Sequence, residues 1–162
     1  MNLLTAVTWF AMQVAPVSPG TPLDLDGSLT DPCWNRAYRL EGFVGNENGQ
    51  YATQQTVMRI CYDDENLYLG LRCLAEGTKA SFPVLDRDSA DLFSQDVAEI
   101  FIQPGTAKST YFQLAIARNG SVYDAELTTE NGRYTPDTAW DGIGRVVTTE
   151  KPFGWTAELT LP

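Results

Sequence analysis

Carboxylates and thiols are the groups in this sequence that could do chemistry. The stretch Asp86-Arg-Asp-Ser-Ala-Asp91, with Asp96 just beyond, gathers Asp86, Asp88, Asp91 and Asp96 into one loop. Calcium takes about six to eight oxygens from flexible loops, so this is a candidate cation site, with a solvated acidic loop as the alternative. It lacks the glycine and closing glutamate of an EF-hand. Glu99, Asp124 and Glu126 have the residue type for glycoside hydrolysis, which needs two carboxyl groups facing each other across a cleft. Nothing in their spacing brings two of them together, and catalysis is not expected. Cys33, Cys61 and Cys73 are odd in number and form no CxxC pair. At most one internal disulfide is available to them, and three small buried hydrophobes is the simpler reading.

Histidine is absent. That removes Ser-His-Asp and Cys-His catalysis, His-ligated zinc and His-ligated haem. Eleven Lys and Arg against 21 Asp and Glu leave a net charge of −10 over 162 residues. An anionic partner would have to overcome that field, and no basic stripe offers to do so, so neither nucleic acid nor an anionic membrane is expected. Hydrophobic residues at 43% are enough to build one core, and the length suits one domain.

Residues 1–15 are apolar and uncharged, long enough for the hydrophobic part of a signal peptide but too short to cross a bilayer. A basic start and a good cleavage site are missing, so a remnant of an upstream domain is the rival reading. Residues 16–22 are rich in proline and glycine and read as a linker, which places the domain at 23–162. Past that point short alternating runs between turn residues predict an all-β, antiparallel sandwich or barrel with little or no helix.

The clearest run, 53–74, turns at Asp63-Asp-Glu-Asn66. Tight pairing there puts Met58, Ile60 and Tyr62 on one face with Leu67, Leu69 and Leu71, and sets Cys61 and Cys73 on opposite faces. A strand over 96–103 follows, with Ala98, Ile100 and Ile102 inward. A hairpin over 111–127 turns at Arg118-Asn-Gly-Ser121, where Asn-Gly supplies positive φ angles. Asn119 also heads a glycosylation sequon, but the turn accounts for it. A last hairpin joins 144–149 to 155–161. The chain stops directly after that strand, which reads as truncation at the C-terminal side.

Several landmarks occur in one order: Leu25-Asp-Gly-Ser-Leu-Thr-Asp-Pro-Cys-Trp34, Tyr62-Asp-Asp-Glu-Asn-Leu-Tyr-Leu69, Gln95-Asp-Val-Ala-Glu-Ile-Phe-Ile102, Tyr111-Phe-Gln113 through Asn119-Gly120, and Gly154-Trp-Thr-Ala-Glu-Leu-Thr-Leu-Pro162. This succession resembles the family 9 carbohydrate-binding modules over about residues 23 to 162. The resemblance implies a jelly-roll β-sandwich, structural calcium, and non-catalytic sugar binding beside a linked glycoside hydrolase. By the same resemblance Phe93 aligns with an aromatic that stacks on sugar, and Glu99 with a glutamate that accepts hydrogen bonds from hydroxyls. The family's Arg and Asn on the next strand fall on Ala115 and Ala117 in this sequence.

The expectation is therefore a secreted or cell-surface module, extracellular or periplasmic, binding an oligo- or polysaccharide without catalysis and without inserting into a membrane. Its sheet platform would carry Phe93, Glu99, Gln113 and Trp140. Glu99 has the alternatives of a solvated charge or a pairing with Arg59 or Arg72. Trp34 and Trp155 are expected in the core. A structural or docking sandwich without sugar is the main alternative. Relatives of this sandwich also hold haem through Met and Lys or His. Met58 is the only methionine well inside the domain, no lysine is placed opposite it, and haem is not expected.

Overall fold

A computed structural model describes residues 15–16, 23–46, 48–75, 82–105, 110–130 and 133–162. The rest of the expected leader and linker, 1–14 and 17–22, lies outside the described residues. The chain forms two compact units, one built on the parts up to Lys79 and from Arg145 onward, the other on Ala80–Gly144. Each contains one sheet.

The first unit holds β1 (Ala15–Pro16), β2 (Tyr38–Leu40), β3 (Thr56–Tyr62), β4 (Leu67–Leu74), β9 (Val146–Lys151) and β10 (Gly154–Leu161). The sheet order is β1-β3-β4-β10-β9, with β2 also on β3. Every pairing is antiparallel except that of β1, which runs parallel to β3 at Cys61 and Tyr62. Pro16, the first residue of the expected linker, is therefore the second residue of a two-residue strand. A proline is tolerated there because an edge strand can leave one N–H side unpaired.

The β3–β4 register is the expected one: Met58 faces Leu71, Ile60 faces Leu69 and Tyr62 faces Leu67. Asp63 closes the turn, its Oδ1 accepting the backbone N–H of Glu65 at 2.9 Å and of Asn66 at 2.8 Å. Cys61 and Cys73 fall on opposite faces, and all three cysteines are buried. Met58 is half-buried on the Leu71 face.

One face of this sheet buries Ile60, Leu69, Leu71, Trp155, Ala157 and Leu159. The other, which carries Arg59, Cys61, Tyr68 and Arg72, is also covered. Residues 25–37 lie along it, burying Cys33 and Trp34 against Cys61. The pin is Glu158 on β10, fully buried, whose carboxylate accepts the N–H of Gly27 at 2.6 Å, of Leu29 at 3.2 Å and of the Trp34 indole at 2.7 Å. Gly27 has φ +76°, and a side chain there would strike the Thr149 hydroxyl, so the strap needs glycine at this point. Burial pushes the Glu158 carboxyl above its ordinary range, while the three donors pull the other way.

The second unit holds β5 (Val97–Ile102), β6 (Thr110–Ala117), β7 (Val122–Glu130) and β8 (Arg133–Asp137), antiparallel in sequence order. The β6–β7 turn uses one positive φ, +88° at Gly120, rather than the two expected of Asn-Gly. Two short 3-10 turns, Pro32–Asn35 and Ala90–Ser94, are the helical elements among the described residues. No described helix is long and apolar enough to cross a membrane.

Candidate functional site

Register divides the second sheet into two faces. Val97, Glu99, Phe101, Tyr111, Gln113, Ala115, Ala117, Tyr123, Ala125, Leu127, Thr129 and Tyr134 share one; Ile100, Phe112, Leu114, Ile116, Val122, Asp124 and Glu126 share the other. On the first face Gln113 donates its side-chain amide to Oε1 of Glu99, and both residues are half-buried. That bond orients the carboxylate and leaves its second oxygen free of this contact, suited to accept from hydroxyl groups. Glu99 is hydrogen-bonded to Gln113, and within the first unit Arg72 lies over the Phe153 ring at 4.0 Å.

Beside the pair runs a row of rings. Phe101 meets Tyr111 edge to face at 5.8 Å between centroids, and Tyr111 meets Tyr134 in the same manner at 5.4 Å. Phe101 is 38% exposed and Tyr134 61%. Burial, with Tyr134 and Glu99 nearby, pushes the Tyr111 phenol up, and burial with Asp88 and Glu99 does the same for Tyr123. Both therefore stay neutral hydroxyls in the presence of Glu99. The Thr129 hydroxyl, paired in register with Tyr134, has no hydrogen-bond partner.

The other end of this face is filled. Leu92 is fully buried on Ala115, Ala117, Tyr123, Ala125 and Leu127, with Leu85, Phe93 and Val97 packed around. Phe93, in the Ala90–Ser94 turn, is half-buried and sets its edge on Tyr123 at 5.0 Å. Two amides hold this cover down. Gln95 Nε2 donates to Pro83 O at 3.0 Å, and Asn119 Nδ2 donates to Pro83 O at 2.8 Å and to Gln95 Oε1 at 2.9 Å. The sequon's own amide is thereby spent inside the fold.

Asp124 is 0% exposed on the opposite face. Its Oδ2 accepts the N–H of Gly142 and of Ile143, and Arg87 NH2 reaches Oδ1 at 2.7 Å. Arg87 Nε lies 2.8 Å from Asp141, and Asp88 Oδ1 accepts the Asp124 N–H at 3.0 Å. Trp140 in the same loop stacks on Phe112 at 4.3 Å.

Of the expected sugar residues, Glu99 and Gln113 are brought together, Phe93 lies on the same face among the cover residues, and Trp140 lies on the other face. Trp34 and Trp155 are buried as expected. The expected cation loop does not converge: Asp86 and Asp91 are exposed, Asp96 lies 3.5 Å from Arg118, and Asp88 joins Asp124 and Asp141 instead. A guanidinium already sits among those three carboxylates, so this donor set does not fit a metal as arranged. Asp124 is on a strand between β6 and β8, and the sheet separates it and Glu126 from Glu99.

Sequence reasoning missed Phe101, Tyr111 and Tyr134 as a group, Arg87 as a hub, and Glu158. Alternation had placed Phe101 and Tyr111 on the non-core face. Tyr134 was hidden because Pro136 breaks the strand pattern of β8.

The family model described as carbohydrate family 9 binding domain-like matches residues 25–162. Endo-1,4-beta-xylanase A of Thermotoga neapolitana is 29% identical over 102 residues, which is 63% of this chain and 9% of that protein. A family 9 carbohydrate-binding module from Caldicellulosiruptor kristjanssonii, solved with cellotriose, has TM-score 0.59 at 18% identity over 91% of this chain and 65% of that one. The same module solved with glucose has TM-score 0.58 at 19% identity, over 91% and 66%. The chain thus spans about two thirds of those structures and under a tenth of the xylanase. The all-β sandwich class expected from the order of landmarks is the fold of these modules. With its family model covering nearly all of the described domain, the chain belongs to the carbohydrate family 9 binding domain-like family, whose members bind rather than catalyse.

Proposed function

We propose that this chain binds a neutral saccharide on the Glu99 face of the four-stranded sheet, without chemistry. The observation that carries the reading is the Glu99–Gln113 pair, half-buried and hydrogen-bonded, set beside the rings of Tyr111 and Phe101. A carboxylate accepts from vicinal hydroxyls, an amide supplies both senses of hydrogen bond, and a flat ring covers the C–H face of a sugar. Small contact areas of this kind give millimolar to micromolar affinity, about −4 to −8 kcal/mol.

The xylanase relative and the saccharide complexes of the structural relatives support this reading, together with placement beside a glycan-active catalytic domain in a secreted or surface protein. Native gels containing xylan, mixed-linkage β-glucan or hydroxyethyl cellulose test the proposal. Retardation of the intact chain by at least one polymer, lost in Glu99→Ala, is expected; equal migration in every gel would overturn it.

One observation favours a second reading, a structural or docking sandwich. Ala115 and Ala117, on which the family's polar pair falls, are fully buried beneath the Leu92 cover. That end of the face has no room for hydroxyl recognition, and equal migration in all gels would promote this alternative.

A further inference from the structure

Two of the three thiols lie together in the first unit. Cys33 is carried by the short Pro32–Asn35 turn and Cys61 by β3, and both are buried in one cluster with Trp34. Their side chains hydrogen-bond to each other, so the two sulfurs are in contact. Cys73 is kept apart from them on the opposite face of the sheet, in register with Thr56 on β3 and Trp155 on β10. The segment that carries Cys33 is fastened to β10. Glu158 accepts the N–H groups of Gly27, Leu29 and Trp34 there, and the Thr156 hydroxyl donates to Gly27 O at 2.6 Å. The thiol pair stands where the same segment meets β3, so a bond between the sulfurs would anchor it at a second strand.

We propose that Cys33 and Cys61 are a disulfide site, closed by a disulfide oxidant as the chain folds, which staples residues 25–37 to β3. The chemistry is thiol–disulfide exchange. One of the two cysteines attacks the S–S bond of the oxidant, forming a mixed disulfide and expelling one thiol. The other cysteine attacks the chain's own sulfur in that mixed disulfide, the Cys33–Cys61 bond forms, and the second thiol leaves. Two electrons and two thiol protons pass from the pair to the oxidant, which ends as two thiols.

Burial sets the timing. Once residues 25–37 are seated, Cys61 is 1% exposed and its thiol is pushed up to about 12, so almost no thiolate is left to begin an exchange. Before that, both cysteines meet the oxidant as ordinary thiols. The cover that keeps the reduced pair inert afterwards shields the closed bond from reductants. Cys33 and Cys61 are 28 residues apart, and a cross-link over a loop of that length strongly restricts the unfolded chain. The site stands whether or not the chain binds sugar, and an oxidising compartment is where it would close.

Refolding the urea-denatured full chain in oxidised and reduced glutathione, beside a sample refolded in excess dithiothreitol, tests the proposal. Both are then unfolded, alkylated with iodoacetamide and mapped by mass spectrometry without reduction. The dithiothreitol sample is the reduced chain and should take three alkyl groups. The glutathione sample should be lighter by two hydrogen atoms before alkylation and yield a peptide pair joined Cys33 to Cys61, leaving Cys73 alone to react. The linked chain should melt about 10 °C above the reduced one. Cys73→Ala should preserve that difference, and Cys33→Ala or Cys61→Ala should abolish it. Three alkylatable cysteines after glutathione refolding, glutathione held on Cys33 or Cys61, or a bond that includes Cys73 would overturn the proposal. Each of these is read on the native sequence, so none depends on a variant folding. A linked chain that melts no higher than the reduced one would overturn the staple.

Discussion

Gln113 on β6 donates its side-chain amide to Glu99 on β5, one register pair apart on the same face of the sheet. The bond does for the carboxylate what a neighbouring cation would do elsewhere: it orients one oxygen without cancelling the charge. Because both side chains are half-buried, Glu99→Ala and Gln113→Ala should change stability by less than about 1 kcal/mol. Each should weaken oligosaccharide binding about tenfold or more, read by calorimetry. Unchanged affinity in both variants would separate the pair from the ligand.

Asp124 ties the loop 141–143 and Arg87 to the centre of the sheet. Removing a buried carboxylate leaves two backbone N–H groups and a guanidinium without their acceptor, so Asp124→Ala should lose roughly 3–5 kcal/mol in urea denaturation. Since Arg87 already pairs with Asp124 and Asp141, chelator should leave the melting temperature of the intact chain where it is. A chelator-induced drop of several degrees would contradict that assignment.

Glu158 makes stability pH-dependent in a defined sense. Its folded-state value lies above the ordinary 4.5, chiefly through burial, so the folded chain keeps this proton longer than the unfolded chain does. Its contribution is largest below pH 4.5 and is lost as pH rises from there through the raised folded value. Glu158→Gln removes that slope and turns an N–H toward one of the three donors, costing about 2 kcal/mol. The margin of the native sequence over Glu158→Gln should narrow as pH climbs from about 4.5. A margin that widens with pH would mean the carboxylate is held charged by its donors.

The thiols should be inert. Burial pushes Cys61 up to about 12 and also raises Cys33, and little thiolate forms near neutrality. A disulfide reagent should label no cysteine in the native chain at pH 8 and three after unfolding. Fast labelling of the native chain would show that residues 25–37 do not cover β3 as described.

Much of the fold was legible in the sequence because alternation is a local signal. Ile60 opposite Leu69 follows from one turn and a period of two, and the Phe101–Tyr111 side of the later strands follows from the same count. What alternation cannot see is a second cover. Cys61 and Ala115 lie on the faces opposite Ile60 and Leu114, yet segments from elsewhere in their units bury both. Glu158 was unreadable for a related reason, since its donors at Gly27, Leu29 and Trp34 are over 120 residues away in the chain. The loop carboxylates were legible as a cluster but not as Arg87 partners, because a guanidinium's reach is not encoded in spacing. Trp140 was placed with the sugar residues because a loop hides which side of a sheet it returns to, and it returns to Phe112.

Backbone amide chemical-shift mapping during titration with cellohexaose or xylohexaose tests the central claim most directly. The account predicts saturable shifts gathered at Glu99, Phe101, Tyr111, Gln113, Thr129 and Tyr134. Shifts gathered instead around Trp140 and Phe112, or none at millimolar oligosaccharide, would contradict it.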